Sequence, residues 1–376
     1  AMLPYFTEIY GNAASRGHSF GYQAKNAVEA ARTQVADLLG CSPKEILWTS
    51  GATESNNLAI QGIVAGRPER GKHLVTVATE HKAVLDTYAA LERRGYEIRV
   101  LGVDQRGALD LDELAAALRS DTVLFSAMAA NNEVGVLHDL PAIAEICQRR
   151  GVVFHCDAAQ AMTVKPLEVK ALGIDMVSIS AHKMYGPKGT GALYVRRGRP
   201  RLKLEPLLHG GGHERGMRSG TLDVPSIVGF GVAARLALEG LSDVPALRAR
   251  RDRLFEGLKA RLGGVHLNGP DLADRAANNL NVSFAGVEAE ALLMATRDIA
   301  VSTGSACTSA TLEPSHVLRA MGIDDELAHS SIRFGLGRFN TDEQIDYVVD
   351  KIAVKVTELR ALSPLYEDTQ PEPKWP

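Results

Sequence analysis

Short apolar runs alternate along this chain with longer stretches whose apolar positions recur every three or four residues. The first pattern marks buried strands and the second amphipathic helices. The spacing predicts helices over 24–39, 54–64, 83–93 and 140–149, and strands over 46–49, 73–78, 97–100, 123–127, 152–157 and 191–195. The run 175–183 reads as one more short apolar strand with a polar tip. Strands alternating with helices predict an α/β fold with a mainly parallel, covered sheet. Near residue 240 the pattern changes. A long charged helix over 244–262 precedes strands over 279–284, 299–302 and 330–335 and helices over 288–297, 316–321 and 342–362. That is the order of a smaller α+β unit. A chain of 376 residues exceeds what one hydrophobic core usually supports. Two domains are therefore expected, 1–241 and 242–376, with a loose Pro-rich tail over 367–376.

Composition narrows the class. Hydrophobic residues make up 45% and charged residues 23%, as in ordinary globular proteins. A formal net charge of −3 gives no basic surface for nucleic acid or for an anionic membrane. No uncharged run approaches the ~18 residues of a membrane span, and no signal-peptide pattern is seen at residues 1–10. The four cysteines, Cys41, Cys147, Cys156 and Cys307, form no CxxC pair. Thiols rather than disulfides are expected, and with them a cytoplasmic location.

Lys183 is the most informative residue. It ends the run Asp175-Met176-Val177-Ser178-Ile179-Ser180-Ala181-His182-Lys183, while Val152-Val153-Phe154-His155-Cys156-Asp157 ends in a carboxylate. The stretch between has room for one crossover helix. Neighbouring parallel strands would then present an amine and an acid on one sheet edge, where ligands of open α/β sheets bind. A pyridoxal phosphate site needs that pair: an amine to form the Schiff base and an acid to keep the pyridine nitrogen protonated. Singly, each residue has an ordinary reading, a solvated lysine and a helix-capping aspartate.

Other strand ends carry polar groups too. Thr49-Ser50-Gly51-Ala52-Thr53-Glu54-Ser55-Asn56-Asn57 opens a helix, where free backbone N–H groups can hold a phosphate or Thr53 can simply cap. His81 in Thr79-Glu80-His81-Lys82 could lie on a planar ring or face water, and Asn131-Asn132-Glu133-Val134-Gly135 could bind an oxygen or make a turn. Cys307 lies in Ser302-Thr303-Gly304-Ser305-Ala306-Cys307-Thr308-Ser309-Ala310, small and polar surroundings that suit a thiol on a mobile loop. The other three cysteines are expected to be inert packing residues.

The segments Gly51-Ala52-Thr53-Glu54-Ser55-Asn56-Asn57, Thr79-Glu80-His81-Lys82, Asn131-Asn132-Glu133, Asp157-Ala158-Ala159-Gln160, Ser180-Ala181-His182-Lys183, Arg218-Ser219-Gly220-Thr221 and Ser305-Ala306-Cys307-Thr308-Ser309 occur in order over nearly the whole chain. Together they resemble the cysteine desulfurases of the NifS/IscS type. The resemblance implies a fold-type I pyridoxal 5'-phosphate-dependent transferase, with a large domain built on a seven-stranded sheet and a small C-terminal domain carrying the catalytic cysteine loop. It implies a homodimer that removes sulfur from L-cysteine, leaving L-alanine and a persulfide on Cys307. It makes Lys183 the cofactor-bearing lysine, Asp157 the partner of the pyridine nitrogen, Gln160 a contact of the phenolic oxygen and His81 the residue stacked on the ring. Ala52, Thr53, Ser180 and His182 would surround the phosphate, with Thr221 reaching in from the partner subunit. Asn132, which would also contact the cofactor, and Arg333, the latter in Ser331-Ile332-Arg333-Phe334-Gly335, would bind the substrate; a planar guanidinium fork suits an α-carboxylate.

The loop around Cys307 matches the family's long-loop group, whose cysteine swings toward a sulfur-acceptor protein. The sulfur would then serve iron–sulfur assembly, tRNA thiolation or DNA phosphorothioation, with Cys307 a transient iron ligand in trans in the first case. A selenocysteine lyase would share the same residues. An aminotransferase of the same fold type would keep Lys183 and Asp157 without needing Cys307. Two departures stand out. Gly11-Asn12-Ala13-Ala14-Ser15 takes the place of the family's Gly-Asn-Pro-Ser-Ser, and the family's opening strand and Asn-Ala-Thr-Thr turn do not precede Ala1.

Overall fold

The apolar runs become the strands of a seven-stranded sheet. The structure is a computed structural model that describes residues 1–198, 200–303 and 314–362. One unit comprises Ala1–Gly102, Leu109–Asn131 and His138–Ser242. Its elements in chain order are α1 (Pro4–Thr7), α2 (Ser19–Leu38), β1 (Ile46–Thr49), α3 (Ala52–Gly66), β2 (His73–Val77), α4 (Lys82–Glu92), β3 (Glu97–Leu101), α5 (Leu111–Ala117), β4 (Thr122–Ser126), α6 (Leu140–Arg150), β5 (Val153–Asp157), β6 (Met176–Ser180), β7 (Gly191–Val195) and α7 (Val224–Glu239). The strand order is β1-β7-β6-β5-β4-β2-β3. β7 runs antiparallel to both of its neighbours, and the remaining pairs are parallel.

Six of these strands are buried along their whole length, which is why they read as unbroken apolar runs rather than alternating ones. The edge strand β3 differs. It exposes Glu97 and Arg99, charges that discourage pairing with another chain. One core layer packs Leu58, Ile60 and Ile63 of α3 and Tyr88 of α4 with Leu74, Val123 and Leu193 of the sheet. Each such side chain stabilises the fold by about 1.5–3 kcal/mol on burial. Elsewhere in the unit α7 meets α2 at Gly231, where an added Cβ would lie 2.6 Å from the Ala31 Cα. Alanine at 231 would force the two helices apart.

The helix expected between β5 and β6 is not there; residues 158–175 form a succession of turns. Asp157 ends β5 and leads into this connection, and its carboxylate caps the first turn by accepting from the Ala159 N–H at 2.9 Å. Val164, Leu167 and Val169 are buried by the connection nonetheless.

The second unit comprises Val103–Ala108, Asn132–Leu137 and the described part of Asp243–Pro376. It contains α8 (Val244–Arg261), β8 (Val265–Leu267), β9 (Asn279–Phe284), α9 (Ala289–Ala295), β10 (Ser302–Thr303), α10 (His316–Ala320), α11 (Asp325–His329), β11 (Ser331–Gly335) and α12 (Asp342–Leu362). Its four strands form an antiparallel sheet in the order β10-β11-β9-β8. Leu254 and Leu258 of α8 and Val349, Ile352 and Val356 of α12 cover Leu280, Val282, Phe284 and Ile332. Two fully buried arginines complete this unit. Arg251 donates to the carbonyls of Leu272, Arg275 and Ala276, and Arg275 to those of Asn268 and Pro270. Burial lowers the Arg275 guanidinium to about 9, so the bent 268–276 backbone is held by donors that carry an electrostatic cost.

Candidate active site

In the first unit the chemistry gathers at the carboxyl ends of the parallel strands. β5 and β6 are adjacent and in register, with Asp157 opposite Ser178. Asp157 therefore closes one strand while Ser180 closes the next. A 3-10 turn, Ala181–Met184, then carries His182 and Lys183. Tyr185 ends this turn at φ 66°, a left-handed conformation that is costly for a residue with a side chain. The backbone reverses there, and the exposed Lys183 side chain stands at the strand-end edge.

Asp157 is 6% exposed, and both of its oxygens are engaged. Oδ2 accepts from Asn56 Nδ2 at 2.7 Å, and Oδ1 from the Ala159 N–H. Asn56 is itself buried on α3, so the carboxylate is fixed by a helix packed on the sheet. Gln160 is half-buried one turn further on.

The start of α3 adjoins the same edge. Gly51 is its N-cap with φ 153°, and no side chain caps the helix. A Cβ at Gly191, the first residue of β7, would lie 2.5 Å from the Gly51 Cα, so only glycine fits that approach. With no side chain over them, the first-turn amides of Ala52 and Thr53 point outward at the positive end of the helix dipole. Ser180 Oγ and His182 Nδ1 share a hydrogen bond of 2.8 Å. Burial, then Lys183 and Lys188, lower the imidazolium pKa of His182. Glu54 in this first turn is held below the usual carboxylate range, against a burial penalty, by Arg218 and by the Ser50 N–H. A bare helix N-terminus flanked by a hydroxyl, an imidazole and a lysine is a donor set that suits a phosphate dianion. Beside it stands a fixed carboxylate for a ring N–H, so the residues present fit pyridoxal phosphate.

His81 caps α4, accepting the Ala83 N–H on Nδ1 at 3.0 Å; its proton accordingly sits on Nε2. Glu80 before it is wholly buried, and burial first, then the charge of Asp157, raise its pKa well above the carboxylate range. It accepts the Met128 N–H at 2.6 Å, joining the ends of β2 and β4. Thr221 is exposed. The segment before it is pinned by Glu214, which takes a bidentate grip from Arg32 at 2.7 and 2.9 Å and also accepts the Trp48 N–H. A cavity of about 500 Å³ lined by His73, Glu97, Arg99 and Arg119 lies at the amino ends of β2 and β3, the opposite edge from these groups.

In the second unit Asn132 and Arg333, far apart in sequence, come together. Arg333 Nη1 donates to the Asn132 carbonyl at 3.0 Å and Nε to Ser302 Oγ at 3.2 Å. Arg333 is partly exposed, and no described hydrogen bond uses Nη2. Cys307 lies outside the described residues. The other three cysteines are free thiols. Burial raises all three, Cys41 to about 12, which leaves them without thiolate at neutral pH.

Several groups went unassigned in the sequence: Asn56, Glu80, Gly191, Glu133 and the Arg32–Glu214 pair. Asn56 had a signal, being, with Ser55, a polar residue among the mainly apolar buried positions of α3. The rest depend on contacts between distant segments.

Residues 1–348 match the family model described as aminotransferase class-V. A curated relative, cysteine desulfurase IscS of Anaeromyxobacter sp. (strain Fw109-5), is 60% identical over 368 residues, spanning 98% of this chain and 91% of its own length. A solved NifS-like protein superposes with a TM-score of 0.88 at 38% identity, covering 95% of this chain and 94% of the other. A solved SspA in complex with cysteine gives 0.78 at 35% identity, covering 90% and 94%. The chain belongs to the class-V aminotransferase family and, within it, to the cysteine desulfurases.

Proposed function

We propose that this chain takes sulfur from L-cysteine with pyridoxal phosphate held by Lys183, leaves L-alanine, and carries the sulfur as a persulfide on Cys307. The observation that carries the reading is the pairing of β5 with β6, which sets the Asp157 carboxylate and the Lys183 turn on adjoining strand ends. The amides of Ala52 and Thr53, with Ser180 and His182, hold the phosphate. Asp157 keeps the ring nitrogen protonated, with Asn56 and Ala159 fixing its direction, Gln160 meets the phenolic oxygen and His81 lies on the ring. When bound, the cofactor supplies an electron sink that makes the Cα proton acidic and the Cβ–S bond breakable.

The remaining chemistry belongs to the chain. Arg333 and Asn132 receive the substrate's carboxylate and amino-acid backbone. Lys183 takes the α-proton and returns it as general acid–base. His81 relays the substrate thiol's proton, for which Nδ1 first releases the Ala83 N–H and so frees the ring to accept. Cys307 as thiolate attacks the substrate sulfur; an S–S bond forms as the C–S bond breaks, and the carbon fragment takes up a proton to leave as alanine. No external oxidant is required, because the sulfur moves with the electron pair left on the carbon. The SspA neighbour, solved in complex with cysteine, supports the choice of substrate. The exposed Thr221 suits a homodimer in which each subunit completes the other's phosphate site, and the persulfide then passes to an acceptor protein.

The test is Cys307→Ala. The variant keeps the visible absorbance of the cofactor-loaded protein and loses sulfide release and alanine formation from cysteine. Full activity in this variant would refute the assignment.

A further inference from the structure

A line of polar side chains crosses the core of the first unit beneath the ends of its strands. Ser126 of β4, His155 of β5, Ser178 of β6 and Tyr88 of α4 are all buried, none more than 1% exposed. Ser178 Oγ lies 2.9 Å from His155 Nε2, and His155 Nδ1 lies 3.1 Å from Ser126 Oγ. Ser126 Oγ is 2.9 Å from the Tyr88 hydroxyl, which is 3.0 Å from the Val75 carbonyl of β2. Counting protons assigns the direction. A carbonyl only accepts, so the Tyr88 proton goes to Val75. Ser126 then donates to Tyr88, His155 Nδ1–H donates to Ser126, and Ser178 donates to Nε2. In the reverse order the Ser178 proton has no acceptor among the described hydrogen bonds. Burial lowers the imidazolium of His155 to about 3, so the ring is neutral, as this order requires.

The line joins the elements that end in the candidate cofactor contacts. His155 and Asp157 are alternate residues of β5 and share a face, as do Ser178 and Ser180 on β6. Ser178 also stands opposite Asp157 in register, and its carbonyl accepts the Ala158 N–H at 2.9 Å. Tyr88 lies about two turns along α4 from His81, the N-cap of that helix. The bonds thus run from the strand of Ser180, through the strand of Asp157, to the helix of His81. Polar side chains in an apolar core cost stability unless each is satisfied, and here each is. Backbone pairing already aligns β4, β5 and β6, but it does not extend to α4. The Tyr88 hydroxyl makes that connection.

We propose that His155 is a positioning residue for the cofactor: bonded through Ser126 and Tyr88 to α4 and through Ser178 to β6, it fixes His81 and Asp157 relative to each other. The proposal rests on the reading of His81 and Asp157 as ring contacts given above. Its consequence is that loss of His155 loosens the grip on the ring as well as the fold. A side chain with one donor and one acceptor at 155 restores the grip.

The experiment uses the cofactor-loaded protein and the variants His155→Leu, His155→Gln and Tyr88→Phe. Visible circular dichroism reports how the bound ring is oriented, absorbance after dilution reports cofactor release, and the urea midpoint reports stability. His155→Leu loses most of the visible dichroism per bound cofactor and releases the cofactor about tenfold faster. Tyr88→Phe removes one hydroxyl and keeps the packing; it weakens the dichroism and speeds release by about threefold. His155→Gln, which keeps a donor and an acceptor, returns both most of the way to wild type. Wild-type dichroism and release in His155→Leu and Tyr88→Phe, beside a lowered urea midpoint, would overturn the proposal and leave the line a stabilising element only. Should His155→Leu fail to fold, Tyr88→Phe alone decides. With 15N in the histidine rings, His155 shows the neutral Nδ1–H form by NMR; the Nε2–H form would overturn the bonding order on which the proposal stands. His81→Ala is the control on the underlying reading. Unchanged dichroism in that variant would remove His81 from the ring, and this failure would be visible whatever the His155 variants show.

Discussion

The two units hold their reactive groups by different means. In the first, Asp157, Ser180, Gly51 and Glu80 lie at or just beyond the ends of strands whose pairing is fixed by backbone hydrogen bonds and burial on both faces. In the second, Glu133 meets Ser315 and Arg333 meets Asn132 through side-chain hydrogen bonds between segments that no strand pairing aligns, while Ser302 and Arg333 are also paired between β10 and β11. Strand ends fix position by topology, so a single side chain can change there without moving its neighbours. A side-chain clasp has no such scaffold and is correspondingly sensitive to substitution and to pH.

The largest effect expected lies outside both sets of reactive groups. Arg32 and Glu214 form a buried bidentate pair, with Glu214 and Arg215 at φ 49° and 61°. Arg32→Ala leaves a buried carboxylate without its partner and should cost about 3–5 kcal/mol of stability, read as a shift in the urea unfolding midpoint. An unchanged midpoint would show that the strained turn before Thr221 holds itself. Next, Asp157→Asn should lower turnover about 100-fold with the fold intact, a loss of about 3 kcal/mol in transition-state stabilisation. Circular dichroism like wild type beside a near-normal rate would remove the carboxylate from the account.

Smaller, and specific to the clasp, is a pH effect. Burial pushes Glu133 up to about 7, against the opposing pulls of Ser315 and Arg333. The folded state therefore favours its protonated form. That contribution is fully present below the ordinary carboxylate value near 4.5 and is lost as pH rises through about 7. Wild-type stability measured against Glu133→Gln should fall between pH 5 and pH 8; a flat difference would mean that Glu133 ionises freely in the folded chain. The smallest change is Arg333→Lys, which keeps the charge but not the fork. It should raise the KM for cysteine by about tenfold and leave kcat within a few-fold, and an unchanged KM would place the substrate carboxylate elsewhere.

The same contrast explains what could be read from the sequence. The strands containing Asp157, Ser180 and Thr49 were legible because burial on both faces writes an unbroken apolar run. α7 was not. Residues 224–239 are apolar nearly all round, and packing against α2 requires small residues such as Gly231 rather than a repeating stripe. The 158–175 connection misled in the opposite sense: its length leaves room for the crossover helix usual between parallel strands, yet a chain of turns buries Val164, Leu167 and Val169 instead. Local motifs mark Asn132 and Arg333 separately, but their contact, and that of Glu133 with Ser315, come from tertiary packing that no local spacing encodes.

The central claim is that the amine of Lys183 is the cofactor's covalent anchor on the strand end beside Asp157. Borohydride reduction of the cofactor-loaded protein, followed by peptide mass mapping, tests it directly. The account predicts a pyridoxyl adduct on the peptide containing Lys183 and no label in Lys183→Ala. Label on another lysine, or stoichiometric labelling of the alanine variant, would contradict it.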